Sequence, residues 1–173
     1  MTESVPTRSR VRPMTREDLE LVLAWRNHED VRRYMYTQNT IKLADHTLWF
    51  EKGSQDTNRY LLVFEYDNIP LGFINIYKIG PGGIAEWGFY AAPDAPRGTG
   101  RKLGEAALRY AFDEAAVHKI CGQALWYNER SIKFHLSLGF QQEGILRSHH
   151  FDGELYHDVV CFGLFASQWP LNN

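Results

Sequence analysis

The chain has 173 residues, enough for one domain with a sizeable core, and its 44% hydrophobic and 14% aromatic content is typical of a folded globular protein. A formal net charge of −2 gives no reason to expect nucleic acid or an acidic membrane as a partner. No apolar run approaches the length that spans a bilayer, and residues 1–13 lack the apolar stretch of a signal sequence, so we expect a cytoplasmic protein.

The first third of the chain predicts one strand followed by helices. Residues 1–8 are expected to be a flexible tail, and a short strand is predicted at residues 10–14. Thr15-Arg16-Glu17-Asp18 has the Thr-x-x-acid pattern of a capped helix start, and that helix should run to about Asn27 before it continues or restarts near His28. A second helix is predicted at residues 44–52, ended by Gly53.

The remaining elements are mostly predicted strands. Residues 59–66 and 69–78 form a pair joined by a tight Asp67-Asn68 turn, and a glycine-rich turn leads into the strand that carries Glu86. A helical pattern covers residues 103–115, a strand covers 119–127, another helix carries Lys133 and His135, and segments 140–147 and 154–165 pair as a hairpin. Cys121 and Cys161 fall in predicted strands and are interpreted as small core side chains; no metal site is predicted.

One loop, Pro93 to Gly104, joins a predicted strand to a predicted helix. Its glycines let backbone N–H groups converge, and the first amides of a helix have no internal partners, so the loop favours a phosphate-sized anion. Arg97, Arg101 and Lys102 add charged donors. The loop fits neither GxGxxG nor a Walker A pattern, and by itself it could equally be a plain turn before a helix.

Two separated motifs resemble the GNAT family of N-acetyltransferases. Arg97 and Gly100 match the first and fourth positions of its pyrophosphate loop, Arg/Gln-x-x-Gly-x-Gly/Ala, although Lys102 stands where Gly or Ala is usual. Asn128 and the ending Leu138-Gly139-Phe140 resemble the late helix of that family. The resemblance covers nearly the whole chain and implies an α/β (α+β) fold. We therefore expect a single domain over residues 1–173, with a twisted, mostly antiparallel sheet of six or seven strands and about four helices.

The resemblance implies acetyl-CoA as the cofactor and acetyl donor. It would lie in an opening between the strand that ends at Ala92 and the strand that ends near Tyr127. The implied cofactor-binding residues are Tyr90, Ala91, Ala92, Arg97, Gly98, Thr99, Gly100, Arg101, Lys102, Leu103, Asn128 and Lys133.

Acetyl transfer to an amine requires a neutral amine, stabilisation of an oxyanion and protonation of the leaving thiolate. Where the family usually has a Tyr, seven residues after the Asn, this chain has His135, which is predicted to be the general acid. The alternative is a packed histidine that points under Phe140. Glu86 is predicted to accept the proton of the amine, directly or through water, and a paired surface glutamate is the alternative.

The acceptor is predicted from a closer resemblance within the family. The Trp25-Arg26-Asn27 opening and the His46-x-x-Trp49 pair resemble the branch that acetylates the 4-amino group of UDP-4-amino-4,6-dideoxy-N-acetyl-β-L-altrosamine in pseudaminic acid biosynthesis. That branch implies a UDP-amino sugar held by Arg26, Met35, Tyr36, His46, Trp49 and Lys78. Ribosomal-protein N-terminal acetyltransferases share the Trp-Arg-Asn opening and accept a peptide amine, and a non-catalytic acetyl-CoA-binding domain is a further alternative. The oligomeric state stays open, a homodimer included.

Overall fold

The computed structural model describes residues 8–170 and contains one seven-stranded sheet in the order β1-β2-β3-β4-β5-β7-β6. The strands are β1 (Ser9–Pro13), β2 (Arg59–Tyr66), β3 (Ile69–Lys78), β4 (Ile84–Ala91), β5 (Lys119–Leu125), β6 (Gln141–Phe151) and β7 (Tyr156–Phe165). The helices are α1 (Leu19–Asn27), α2 (Glu29–Arg32), α3 (Leu43–Gln55), α4 (Thr99–Arg109) and α5 (Glu129–Ser137).

The sheet is mostly antiparallel, as predicted, because among its neighbouring strands only β4 and β5 run parallel. Five helices form where about four were expected, since the first helical region breaks at His28. The His28 backbone is extended, and its Nδ1 accepts a hydrogen bond of 3.2 Å from the amide of Asp30. The sequence had left open whether this helix continues, and the structure shows that it restarts.

Turn chemistry fixes the register of the β2–β3 hairpin. Asp67 and Asn68 have φ of 51° and 63°, the left-handed values of the tight hairpin turn that the sequence predicts. Arg8 donates hydrogen bonds of 3.0 and 2.8 Å to the Asp67 carboxylate, so it is held at the sheet edge and is not part of a free tail. The other residues of the predicted tail, 1–7, lie outside the described residues.

Two hydrophobic clusters lie on opposite faces of the sheet. The larger one packs α4 and α5 against the centre of the sheet, and Leu103, Ala107 and Ala111 are fully buried there, which confirms the predicted apolar face of the 103–115 helix. The smaller cluster packs Val22 and Phe50, of α1 and α3, against the β1–β4 half of the other face.

Two local predictions were wrong for packing reasons. Helix α3 does not end at Gly53, because this glycine is buried where a Cβ would come within 2.9 Å of Leu61 Cδ1, and it lets the helix pass close to β2. Cys121 and Cys161 are free, half-buried thiols and not core residues, since strand alternation turns them away from the larger cluster.

Within residues 8–170, no helix is both long and apolar enough to cross a membrane. The same range contains no group of three or more His, Cys, Asp or Glu side chains that could hold a metal ion.

Candidate active site

The central feature of the site is the separation of the two parallel strands. β4 and β5 pair only from Ile84–Lys119 to Glu86–Cys121, whereas the other edge of β4 stays paired with β3 as far as Ala91. Among the described residues, the peptide groups of β4 beyond Glu86 therefore have no strand partner on the β5 side. An open strand edge of this kind can pair with an extended ligand that carries amide groups.

The loop after β4 ends in a cluster of unpaired amides at the start of α4. Gly98 has φ of 89°, a left-handed conformation that favours glycine, and it caps the helix. Within residues 8–170, the amides of Gly98, Gly100 and Arg101 have no backbone acceptor. Together with the positive end of the helix dipole, they fit a diphosphate.

This cluster is shorter than the predicted segment from Arg97 to Leu103. The Thr99 amide and hydroxyl both donate to the Pro96 carbonyl, at 3.1 and 2.7 Å. The Lys102 amide already reaches the Gly98 carbonyl at 3.4 Å, and Leu103 is a core side chain. The usable amides thus stop at position 101.

The cations of the loop take different positions. Arg101 pairs with Glu105 at 2.8 Å, and Lys102 Nζ lies 4.0 Å above the Tyr66 ring. Arg97 is exposed and makes no side-chain hydrogen bond or ion pair within the described range, so it is the cation of this loop that is free to meet a phosphate.

Helix α5 forms the other wall. Asn128 caps it by accepting a 3.1 Å hydrogen bond from the Ser131 amide, and Lys133 is exposed, 3.8 Å from Glu129. The sequence did not identify Phe134, whose ring lies within 4.0 Å of a Cβ position on Gly100 and so packs this wall against the first turn of α4.

His135 does not face the opening. It is 1% exposed, it stacks on Phe162 at 4.8 Å, and both ring nitrogens are occupied. Its Nε2 accepts a 3.1 Å hydrogen bond from the Trp87 indole, and its Nδ1 donates to the Ser131 carbonyl at 2.8 Å. Burial lowers the pKa of His135, so the neutral form dominates. The geometry argues against the general-acid role and corresponds to the packed alternative, because a neutral ring with no free N–H cannot protonate a thiolate.

Strand alternation assigns β4 side chains to the two faces. Trp87 and Phe89 pack with α5 in the larger cluster, so Glu86, Gly88 and Tyr90 point to the opposite face. Tyr90 packs on Phe73 at 5.2 Å between ring centroids. Glu86 is exposed and, within residues 8–170, forms no hydrogen bond or salt bridge, so it is not the paired surface glutamate of the alternative interpretation.

A basic cluster lies beside Tyr90 on this second face. Arg26 Nη2 donates to the Thr37 carbonyl at 2.6 Å, while its buried Nη1 has no partner among the described residues. Burial lowers the pKa of Arg26, and the nearby charge of Arg32 acts in the same direction, opposed by Tyr90. Arg32 Nε is likewise buried without a partner in that range. Arg32 Nη1 donates to the Gln38 carbonyl at 3.2 Å, so the two guanidiniums bind successive carbonyls of the chain and are neighbours. Their remaining donors indicate a site for an anion.

His46 and Trp49 share one face of α3, as predicted from their spacing, with ring centroids 5.0 Å apart. His46 is 4% exposed, and its Nε2 has no hydrogen-bond partner among residues 8–170. Burial lowers the pKa of His46, and the charge of Arg26 adds to this effect.

A segment that we call the strap, residues 33–42, crosses this face. Asn27 exchanges two 2.8 Å hydrogen bonds with the backbone of Ile41 and so anchors one end. Tyr36 reaches the far wall, where its hydroxyl donates to Gln123 Oε1 at 2.8 Å. Burial raises the pKa of Tyr36, and the charges of Cys161 and Glu86 add to the shift. Gln123 lies two residues beyond Cys121, the β5 partner of Glu86, so Tyr36 reaches the strand that pairs with Glu86. The predicted Met35 is half-buried in the same strap.

Lys78 is predicted to contact the acceptor, but it lies on the other face of the sheet. It points to the same face of β3 as Ile74 and Ile76, which are buried in the larger cluster on the opposite side of the sheet. Its Nζ lies 5.5 Å from the Tyr60 ring centroid.

Three residues on the acceptor face escaped the sequence analysis. Arg59 lies over the Tyr77 ring at 4.8 Å, and Tyr77 is the cross-strand neighbour of Glu86. Asn75 lies across from Gly88, and its buried Oδ1 has no partner within the described range. Arg32 belongs to the basic cluster. For Arg59 and Asn75 only strand alternation could have given a signal, and for Arg32, in helix α2, the sequence offers none, because none of the three belongs to a motif.

Comparison with known proteins identifies the architecture. Residues 8–141 match the family model described as an acetyltransferase (GNAT) domain. The chain is 28% identical to acetyltransferase PseH of Campylobacter jejuni over 146 residues, 84% of this chain and 85% of that protein. It is 24% identical to spermidine N(1)-acetyltransferase of Escherichia coli over 162 residues, 92% and 87% of the two chains.

Solved structures agree on the fold. Spermidine N-acetyltransferase from Vibrio cholerae, in complex with CoA and spermine, matches 95% of this chain and 99% of that chain with a TM-score of 0.87 and 23% identity. The open edge of β4 and the amide cluster before α4 fit the two parts of CoA that such a fold binds, the amide-bearing arm and the diphosphate. The chain belongs to the GNAT acetyltransferase family, and it is an N-acetyltransferase that takes its acetyl group from acetyl-CoA.

Proposed function

We propose that the acceptor is the amino group of a nucleotide-linked amino sugar, most concretely the 4-amino group of a UDP-linked amino-dideoxy sugar in pseudaminic acid biosynthesis. The observation that carries this proposal is the unused donor capacity of Arg26 and Arg32 beside the opening. Neighbouring guanidiniums suit a diphosphate, which needs several charge-assisted hydrogen bonds. The 28% identity to PseH supports the same acceptor class.

The same residues weigh against a polyamine. Spermidine acetyltransferases are relatives at 24% identity, but a polyamine carries several positive charges and needs carboxylates along its path. Around the opening, the acceptor face presents Arg26, Arg32 and Arg59. Its acidic side chains next to the strand separation are Glu86 and Glu143, and Glu143 is neutralised by Lys119 at 2.7 Å. The other acceptor considered from the sequence is a peptide N-terminus. Its amino group carries no negative charge for these guanidiniums to bind.

Chemically, Glu86 is proposed as the general base. It is exposed at the last paired position of β4 and β5, where the opening begins, so it can take a proton from an incoming amine directly or through water. Acetyl-CoA, when bound, supplies the acetyl group as an activated thioester. Backbone N–H groups on the open edge of β4 are the available donors for the acyl oxygen. Because His135 is closed off, the proton that reaches the thiol comes from solvent or from the amine itself.

A free-thiol assay with acetyl-CoA tests the proposal over three acceptors: the UDP-4-amino sugar, spermidine and a peptide with a free N-terminus. We expect thiol release to be fastest with the sugar nucleotide. Replacing Arg26 or Arg32 by Ala should raise its KM by about 10-fold to 100-fold, the value of a hydrogen bond to a charged group. Lys78→Ala, on the opposite face, is the matched control and should leave KM unchanged. Faster turnover of spermidine or of the peptide would refute the proposed acceptor.

A further inference from the structure

Gly88 is a glycine for which the fold itself gives no reason. Most other described glycines are either in left-handed conformations or too close to neighbours for a Cβ, as at Gly72, where it would come within 2.2 Å of Leu103 Cδ1. At Gly88 a Cβ would meet nothing within 4 Å, and its φ is not left-handed. Gly144 is equally open, but it lies at a register shift of β6. Glycine inside a strand costs roughly 0.5–1 kcal/mol relative to Ala, and in a regular strand it often marks the approach of a ligand.

The position of Gly88 links this open space to the reaction. It lies two residues beyond Glu86, the last residue of β4 that pairs with β5, and on the same face as the Glu86 side chain. A missing side chain at this point leaves room beside the carboxylate that is proposed to receive the proton of the amine.

Asn75 provides a second, independent sign of a ligand at the same point. It is the cross-strand neighbour of Gly88 in β3 and is half-buried, and its buried Oδ1 has no partner among residues 8–170. An unpaired buried polar group costs about 1–3 kcal/mol. A bound molecule with a hydrogen-bonding substituent would offset that cost.

We infer that the space over Gly88 and Asn75, which we call the amine slot, selects an amine carried on a branched ring carbon over one at the end of a linear chain. A linear aminoalkyl group presents a single methylene next to its nitrogen and needs little width. A ring carbon presents two carbon substituents, and the absent side chain of Gly88 is the space that takes the second. The Asn75 amide bonds a polar substituent next to the amine. This inference rests on the proposed function for its location and deepens it by naming the feature of the acceptor that is recognised.

Acetyl-CoA is not expected to occupy the open space over Gly88. The arm of acetyl-CoA would pair with the edge of β4 in the plane of the sheet, whereas a Cβ on Gly88 points out of that plane. A methyl group at position 88 should therefore leave CoA affinity unchanged. A loss of CoA affinity in Gly88→Ala would overturn the inference.

The experiment uses three acceptors: cyclohexylamine, n-hexylamine and the UDP-4-amino sugar. The first two are a ring amine and a linear amine, each with six carbons and no other polar group. Variants Gly88→Ala and Gly88→Val are assayed for thiol release, thermal unfolding and CoA binding by calorimetry, with Gly144→Ala as the matched control. We expect both Gly88 variants to fold with Tm at or above that of the wild type. One added methylene in a fitted pocket changes discrimination by about 10-fold to 200-fold, so kcat/KM for cyclohexylamine and the sugar should fall by at least about 10-fold in Gly88→Ala, while n-hexylamine changes little.

The failures are distinguishable. Equal losses for the ring amine and the linear amine in Gly88→Ala, or no loss for either, overturn the amine slot. If the wild type ignores the UDP-sugar but prefers cyclohexylamine and loses that preference in Gly88→Ala, the slot stands and the proposed nucleotide acceptor fails. Asn75→Leu should lower kcat/KM for the sugar and leave cyclohexylamine unchanged; an equal effect on both would remove Asn75 from the slot.

Discussion

The two sides of the opening between β4 and β5 are built from different parts of the chain. The side that we propose for the donor consists of backbone, namely the unpaired edge of β4 and the amides of Gly98, Gly100 and Arg101. The acceptor side consists of side chains from several elements, with Arg26 and Glu86 among them. A backbone site depends on a few residues that set the chain conformation, whereas a side-chain site depends on each of its members. The identity of the donor therefore depends on the fold, whereas the identity of the acceptor can change when single side chains are substituted.

On the acceptor side, the largest expected effect on kcat is at Glu86. Glu86→Gln removes the proposed base while keeping its shape, so kcat should fall by about 10²-fold to 10⁴-fold. CoA affinity should not change, because the carboxylate lies on the acceptor face. Steady-state kinetics and calorimetry measure the two quantities, and Glu114→Gln, an exposed glutamate away from this face, is the control. A kcat close to that of the wild type would exclude Glu86 as the base.

An intermediate effect is expected on the donor side. Gly98→Ala forces a side chain into φ of 89° and should shift the amides at the start of α4, so CoA affinity should fall by about 10-fold, which corresponds to one weakened hydrogen bond to a charged group. The loss should be the same for every acceptor.

Gly82→Ala is a matched control for that change. Its φ of 88° imposes nearly the same backbone strain, its Cβ would meet nothing within 4 Å, and it lies in the turn before β4. Both variants should lose about 1–3 kcal/mol of unfolding free energy, measured by thermal denaturation, and only Gly98→Ala should lose CoA affinity. Equal CoA affinity in the two variants would contradict the proposal that the amides at Gly98, Gly100 and Arg101 bind the diphosphate.

The smallest effect on turnover is expected at His135, which is buried in the core against Phe162 and does not face the opening. His135→Phe should leave the pH profile of kcat unchanged, because neither ring nitrogen is free for catalysis. It should lower the unfolding free energy by about 1–3 kcal/mol, since the buried Trp87 indole N–H loses its acceptor. A large loss of kcat in a fully stable variant would restore the general-acid role.

The same variant has a signature in the pH dependence of stability. Burial holds the pKa of folded His135 below the usual 6.5, so the unfolded chain binds a proton that the folded chain does not. The unfolding free energy of the wild type should therefore fall as pH drops below about 6.5 and level off once the folded-state pKa is passed. Denaturant unfolding across pH 5–8 should show a shallower fall in His135→Phe than in His149→Phe, whose histidine is exposed.

The donor side could be predicted from the sequence because its requirements are local. Arg97 and Gly100 stand at fixed spacing between a strand and a helix. The strand patterns and the family resemblance predicted a sheet of six or seven strands, and seven form. The acceptor side could not be predicted, because it depends on which face each strand residue takes. Lys78 was named as an acceptor contact from the resemblance alone, without a face, and Asn75 was missed because it stands within the same apolar strand.

The geometry argues against the predicted role of His135 for a different reason. Its place in the motif is that of a catalytic tyrosine, but an imidazole is shorter than a phenol, and Trp87 and Ser131 satisfy it inside the core. Motif position gives the location of a side chain on a helix, and the packing around it decides whether solvent or ligand can reach it.

The strap over the acceptor face forms no strand with the sheet beneath it, and its ends depend on single side chains such as Asn27. Its length and composition can therefore change without any shift in strand register. Insertions or exchanges within residues 33–42 offer a route by which descendants of this chain could adopt new amines while inheriting the same thioester chemistry, and a natural place to begin when redesigning the enzyme.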